Sequence, residues 1–210
     1  MTDDCLEFDK VHIALHGRKL LDLDLRIGPG EVLTIMGPSG SGKSTLLAFA
    51  AGFLAPEFVA SGRILLGGND ITALPAAQRG IGLLFQDPLL FPHLSVAGNL
   101  RFGLPRAVPG KAARVEAALA AIGLTGFGER DPATLSGGQQ SRVALMRLLL
   151  SSPRAVLLDE PFSNLDTHLR QEMRRLVFGR LSEAGLPSLL VTHDHEDAAA
   201  AGGRIIELGH

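Results

Sequence analysis

The chain has 210 residues, with 20 Lys and Arg against 22 Asp and Glu, a formal net charge of −2, and 46% apolar residues. That balance excludes wholesale disorder, and the absence of a basic excess argues against nucleic acid as a partner. The length suits one domain, or one domain carrying an insert. A single cysteine, Cys5, excludes an intrachain disulfide framework, and its surroundings read as an edge strand with an ordinary thiol. The first residues carry Asp3, Asp4, Glu7 and Asp9, which is not the basic start of a signal peptide. The longest apolar stretch, Leu46 to Ala55, stops at Pro56, short of the ~20 residues that span a bilayer. A soluble chain is expected, serving any membrane process through a partner.

In chain order, the first third reads as strands. Leu21, Leu23, Leu25 and Ile27 alternate with Asp22, Asp24 and Arg26, the period-2 pattern of a half-buried strand. Val32–Met36 is a short apolar run suited to a fully buried strand, and Arg63–Leu66 and Ile81–Phe85 are further strand candidates. Lys111–Ile122 predicts a helix with Val115, Leu119 and Ile122 on one face, and Gln139–Leu150 predicts a second. A buried strand follows at Ala155–Leu158, then a long helix at His168–Ala184 and strands at Leu189–Val191 and Arg204–Leu208. Arg170, Arg174, Arg175 and Arg180 read as a solvated face of that long helix. Apolar strands alternating with helices predict an α/β fold with a mostly parallel sheet, preceded by an antiparallel part. The expected organisation is a single domain over 1–210, with a core at 1–86 and 151–210 and a helical subdomain at 87–150.

Gly37, Pro38, Ser39, Gly40, Ser41, Gly42, Lys43, Ser44 and Thr45 match the phosphate-binding loop G-x-x-x-x-G-K-[ST], after a buried strand and before an apolar helix start. Glycines let successive backbone N–H groups turn inward, and the helix N-terminus adds positive potential. In such a loop the Lys43 ammonium reaches the β- and γ-phosphates and the Ser44 hydroxyl ligates Mg²⁺. Ala155–Leu158 runs into Asp159 and Glu160. One acid at the end of a buried strand suits Mg²⁺, and a second beside it suits orienting or deprotonating a water. Ser136, Gly137, Gly138 and Gln139 precede a helical run. They read equally as a helix N-cap or as a second anion site made of backbone N–H groups.

Taken together these stretches resemble the ATP-binding cassette (ABC) ATPases over essentially the whole chain. Gly37–Thr45 resembles the family's Walker A, Val156–Asp159 its Walker B and Leu135–Gln139 its signature. Gln86 resembles the Q-loop, Ser163–Asp166 the D-loop and His193 the switch histidine. The resemblance implies a P-loop NTPase fold, ATP and Mg²⁺ as ligands, and a second copy of the chain paired head to tail. Ser136, Gly137 and Gly138 would then touch the γ-phosphate held by a partner's Lys43. Glu160 would act as base or water-polariser, with catalytic parts for Gln86 and His193. Ser44, Gln86 and Asp159 would serve the metal, and Asp166 would link the two sites. The Gln86–Leu100 stretch is similar to the part of bacterial importers that docks a permease helix. There Phe91, Pro92, Leu94 and Val96 would either line an apolar groove or form insert core. The closest resemblance is to importers of the thiamine, iron and molybdate type. It implies transmembrane permease subunits, a solute-binding protein met indirectly, and a peripheral place on the cytoplasmic side of the bacterial inner membrane.

The chain departs from the family in three respects. It has no Tyr or Trp to stack on adenine, leaving His16, beside Leu15, as the local candidate. Asn164 stands where Ala is commoner in the D-loop. The sequence stops at His210, without the regulatory domain of some importers. A DNA-repair cassette is disfavoured because no heptads separate Lys43 from Leu135. An ABC-type ATPase of a non-transport complex, such as an assembly or cell-division scaffold, is the alternative reading. A paired metal site at His193 and His195 lacks further ligands in the sequence.

Overall fold

The computed structural model describes residues 4–38 and 40–208, so Asp3 and Ser39 of the readings above lie outside the described residues. The chain divides into two compact units. One comprises residues 1–83, 154–160 and 174–210; the other comprises residues 84–153 and 161–173.

The first unit begins with an antiparallel sheet. Strands β1 (Leu6–Leu15), β2 (Arg18–Ile27), β4 (Phe58–Leu66) and β5 (Asn69–Asp70) lie in the order β2-β1-β4-β5. The alternation in β1 changes phase, since Leu6 and Phe8 face the core and then Val11 and Ile13 do. A bulge at Asp9 and Lys10 absorbs the extra residue, and Lys10 takes a φ of 49°. Gly62 on β4 lies against this bulge, where a Cβ would stand 2.3 Å from the Lys10 carbonyl oxygen. β4 starts five residues before the Arg63 expected from the sequence, because pairing with β1 runs from Leu15↔Phe58 onward. Cys5 does not adjoin an edge strand. It leads into β1, which has a neighbour on both sides, and is 3% exposed, accepting from the Arg26 guanidinium at 3.2 Å.

The second sheet is built from β3 (Val32–Met36), β6 (Ile81–Leu84), β7 (Ala155–Asp159), β8 (Ser188–Thr192) and β9 (Ile205–Glu207), in the order β6-β7-β8-β3-β9. β3 runs parallel to β8 and β9, and β7 runs parallel to β8. All five residues of β3 and of β8 are buried, the polar Thr34, Ser188 and Thr192 included, as in parallel strands covered on both faces. Helix α1 (Lys43–Ala51) places Leu46, Leu47 and Ala50 in one core with Leu33 and Ile35 of β3 and with Phe8, Ile13 and Ile64 of the antiparallel sheet. Each such large side chain contributes about 1.5–3 kcal/mol when fully buried. The α/β architecture with a parallel and an antiparallel sheet agrees with the expected fold class.

The second unit is helical, with α2 (Val96–Gly103), α3 (Lys111–Ala121) and α4 (Gly137–Leu150). Val115, Ala118 and Leu119 are buried on α3, with Ile122 closing its end. α2 had no signal of its own in the sequence, being eight residues capped by Ser95, whose side chain accepts from the Gly98 N–H. Helix α5 (Thr167–Glu183) contributes residues to both units, and α6 (His195–Ala201) belongs to the first. Among the described residues no helix is long and apolar enough to cross a membrane.

Candidate functional site

Strand register assembles the first unit's site. Met36↔Thr192 pairs the last residue of β3 with that of β8, and Asp159↔Val191 aligns the end of β7 one step back. The phosphate loop, the acidic pair and His193 therefore all leave the sheet at the carboxyl ends of parallel strands, where α/β folds place ligands. The loop turns through Gly40 and Gly42, both at positive φ, and Gly42 packs so closely on Leu20 that a Cβ would stand 2.9 Å from its Cγ. Helix α1 starts immediately afterwards, with no side-chain cap and no acidic residue in its first turn. Its N-terminal N–H groups and dipole are thus left facing the loop.

Lys43 is buried to 6% exposure, and its ammonium donates to the carbonyls of Gly37 at 2.7 Å and Pro38 at 2.8 Å. The neighbouring Ser44 hydroxyl donates to Asp159 Oδ1 at 3.1 Å. Burial pushes the Asp159 carboxyl above the usual range; the Ser44 hydrogen bond opposes this, Glu160 adds to it and Lys43 opposes it. Glu160 follows at φ 45°, its N–H donating to the Val191 carbonyl at 2.9 Å. Its Oε2 lies 3.1 Å from His193 Nδ1. The imidazole is 64% exposed and, with Gly37, Pro38, His195 and Glu207, lines a cavity of about 350 Å³. His16 sits at the tip of the β1–β2 hairpin with φ 48°, exposed, beside Gly17 at φ 77°. Asn and Gly are the usual residues of such a turn.

The second unit carries the remaining candidates. Ser136 is the N-cap of α4 in a capping box. Its Oγ accepts from the Gln139 N–H at 3.4 Å, and Gln139 Oε1 accepts from the Ser136 N–H at 3.0 Å. The cap reading is thus realised, while Ser136 and Gly137 remain exposed at a helix N-terminus. Gln86 is exposed and donates through Nε2 to Asn164 Oδ1 at 3.1 Å, and Asn164 Nδ2 donates to Asp87 at 2.9 Å. Asp166 accepts from the Leu169 N–H at 3.0 Å near the start of α5. Of the four apolar residues between Phe91 and Val96, Val96 is fully buried and so is core of this unit. Phe91 and Leu94 are half-buried and Pro92 is exposed.

Three further residues, Arg174, Asn99 and Arg147, shape the loops of these sites. The solvated face drawn for α5 is wrong at Arg174, which is buried and paired with Asp194, Glu196 and Asp197. The signal was available: position 174 falls within the apolar stripe formed by Met173, Val177, Phe178 and Leu181. Asn99 is fully buried on α2, donating to Phe91 O and accepting from the Phe91 N–H. Arg147 of α4 donates to Leu89 O at 2.9 Å and Pro88 O at 3.1 Å, with burial lowering its pKa. Together Asn99 and Arg147 hold the loop that follows Gln86.

The donor set of the first unit suits a polyphosphate and a hard cation. It offers one ammonium, an uncapped helix N-terminus, and a hydroxyl paired with a carboxylate. Ser41 Oγ, inside the loop, is buried without a hydrogen-bond partner among the described residues, as a hydroxyl awaiting an acceptor would be.

Comparison with known proteins adds the lineage. The family model for the ABC transporter matches residues 20–163. The "Uncharacterized ABC transporter ATP-binding protein YnjD" of Escherichia coli (strain K12) is 48% identical over 185 residues, covering 87% of this chain and 85% of that protein. The "Thiamine import ATP-binding protein ThiQ" of Jannaschia sp. (strain CCS1) is 47% identical over 195 residues, covering 91% and 84%. The "Fe(3+) ions import ATP-binding protein FbpC" of Agrobacterium fabrum is 46% identical over 188 residues, covering 88% of this chain. The matched part is 52% of that relative's length, so the chain corresponds to about half of it. With the family model spanning most of the sequence and near-half identity to such relatives, the chain belongs to the ABC transporter family, as an ATP-binding ATPase.

Proposed function

We infer that this chain is the ATP-hydrolysing, energy-coupling subunit of a bacterial importer. The observation that carries the reading is the strand register that gathers the phosphate loop, Asp159, Glu160 and His193 at one edge of a parallel sheet. The loop residues Gly37–Thr45 would cradle the phosphates of ATP, with Lys43 releasing its hold on the Gly37 and Pro38 carbonyls to meet them. Ser44 and Asp159 would hold Mg²⁺, which would supply charge neutralisation at the phosphates when bound. Glu160 would orient the attacking water and accept its proton, and His193 would hydrogen-bond the terminal phosphate as negative charge gathers there. His16 is the proposed neighbour of adenine.

Ser136, Gly137 and Gly138 would complete the pocket of a second copy of the chain, so that nucleotide joins the pair and hydrolysis releases it. Relatives whose names state import of thiamine or Fe³⁺ support the direction of transport, and with it permease partners on the cytoplasmic side of the membrane. A solute-binding protein would be met only through those permeases.

The test uses two variants of the full chain. Glu160→Gln should bind ATP, remain paired after binding, and lose at least about 10²-fold in turnover. Ser136→Arg should bind the nucleotide as a monomer and fail to hydrolyse it. Glu160→Gln turning over at the wild-type rate would remove the base assignment. Loss of nucleotide binding in Ser136→Arg would show that the signature does not act across two copies.

A further inference from the structure

His193 is a half-solvated imidazole on the loop between β8 and α6, and its usefulness depends on that loop keeping one shape. Both residues beside it belong to a single network centred on the buried Arg174, Thr192 and Asp197 side chains. The Thr192 hydroxyl donates to Asp197 Oδ2 at 3.0 Å and accepts from the Asp194 N–H at 3.0 Å. Asp197 Oδ1 in turn accepts from Arg174 Nε at 2.6 Å. The same guanidinium donates to Glu196 Oε2 at 2.9 Å and to Asp194 Oδ2 at 3.2 Å. One planar cation thus grips three carboxylates from the four residues that follow His193, and reaches Thr192 on its other side through Asp197.

We propose that Arg174 is a positioning residue for His193, holding the Thr192–Asp194 backbone so that the imidazole stands over Glu160 beside the phosphate loop. This rests on the assignment of His193 to the ATPase reaction. A purely stabilising role is the weaker explanation for two reasons. A buried ion cluster gives little net stability over apolar residues of the same shape. The guanidinium also reaches past its buried partner Asp197 to Asp194 and Glu196, whose side chains are 24% and 74% exposed and so gain little stability from the contact. What the guanidinium offers beyond its charge is geometry: five donors in one plane, fixed at one end by burial on α5. Removing it leaves Asp194, Glu196 and Asp197 repelling one another in a single turn, and the loop with His193 moves. A displacement near 1 Å at a reacting group costs up to about 10²-fold in rate.

The experiment measures ATPase kinetics, ATP affinity and thermal unfolding for Arg174→Met, Arg174→Lys and Thr192→Val, each alone and with His193→Ala. Thr192→Val keeps the buried guanidinium and its acids while cutting the link to the loop, so it serves where Arg174→Met folds poorly. The expected result is a kcat at least about tenfold lower for Arg174→Met and Thr192→Val with KM and ATP affinity within about twofold, partial recovery in Arg174→Lys, and no further loss when His193 is already alanine. Equal losses of kcat in the presence and absence of His193 would overturn the proposal alone. Unchanged turnover in His193→Ala itself would overturn the role of His193 and the positioning role with it.

Discussion

Replacing Gly138 by alanine would place a Cβ 2.1 Å from Leu169 Cδ2 and 2.7 Å from Leu169 Cδ1 and Cγ. The same replacement at Gly137 meets nothing within 4 Å. Both residues stand in the first turn of α4, so any gain from removing a helical glycine, at most about 1 kcal/mol, applies to both and cancels in the comparison. The difference between the two variants isolates the clash. Leu169 can swing its methyl groups, but its Cγ must move as well, which requires a new χ1 or a shift of the helix start. Overpacking of that kind costs about 1–3 kcal/mol. At about 2–4 °C per kcal/mol for a chain of this size, Gly138→Ala should unfold some 2–12 °C below Gly137→Ala. Thermal unfolding followed by circular dichroism measures this directly, and ATPase assays on the same samples add the functional half. Gly137→Ala should keep or raise the midpoint yet lose turnover, because the added methyl points into open space in the chain alone but would stand where a phosphate is proposed to approach the backbone. A Gly138→Ala midpoint at or above that of Gly137→Ala would refute the packing argument.

Three further outcomes are expected. Asp159→Asn should raise stability at neutral pH while abolishing Mg²⁺-dependent hydrolysis. The folded carboxyl has a raised pKa, so the folded state binds the proton more tightly than the unfolded one. Stability is therefore lost as pH rises through the window from the ordinary carboxylate range to the raised value, and the amide removes that loss; a pH series of unfolding midpoints that falls in parallel for both proteins would contradict this. Arg79→Ala should destabilise by about 2–5 kcal/mol, seen as a lower denaturant midpoint, because it strands several carbonyls at once. The guanidinium donates to Phe49 O and Ala50 O at 2.8 Å, to Leu74 O at 2.9 Å and to Thr72 O, closing the C-terminal end of the helix that the phosphate loop starts. Lys43→Met should unfold near the wild-type midpoint but lose ATP binding by equilibrium measurement, since the ammonium's two carbonyl partners can turn to water; retained affinity would argue that backbone N–H groups alone hold the phosphates.

Much of this protein is written in short stretches whose chemistry is local. The glycine and lysine spacing of residues 37–45 and the acids after an apolar run at 159 and 160 follow from what neighbouring residues do to one backbone, so they were legible in the sequence alone. Ser136–Gln139, by contrast, left a helix cap and an anion site equally open until the capping box appeared. β3 and β8 were legible as well, since Val32–Met36 is apolar but for Thr34 and Leu189–Val191 is apolar throughout, as in strands covered on both faces. What tertiary structure alone decided are the relations between distant segments. The one-residue slip in β1 hid its alternation until the bulge at Lys10 and Gly62 supplied the missing residue. Helical spacing places Arg174 on the apolar stripe of α5, but only folding brought Asp194, Glu196 and Asp197 to it from twenty or more positions away. Gln86 and Asn164 stand 78 positions apart and meet by the same means. Periodicity reports which face of an element is buried, whereas a polar partner from another element is set by sheet register and helix packing, which no local pattern encodes.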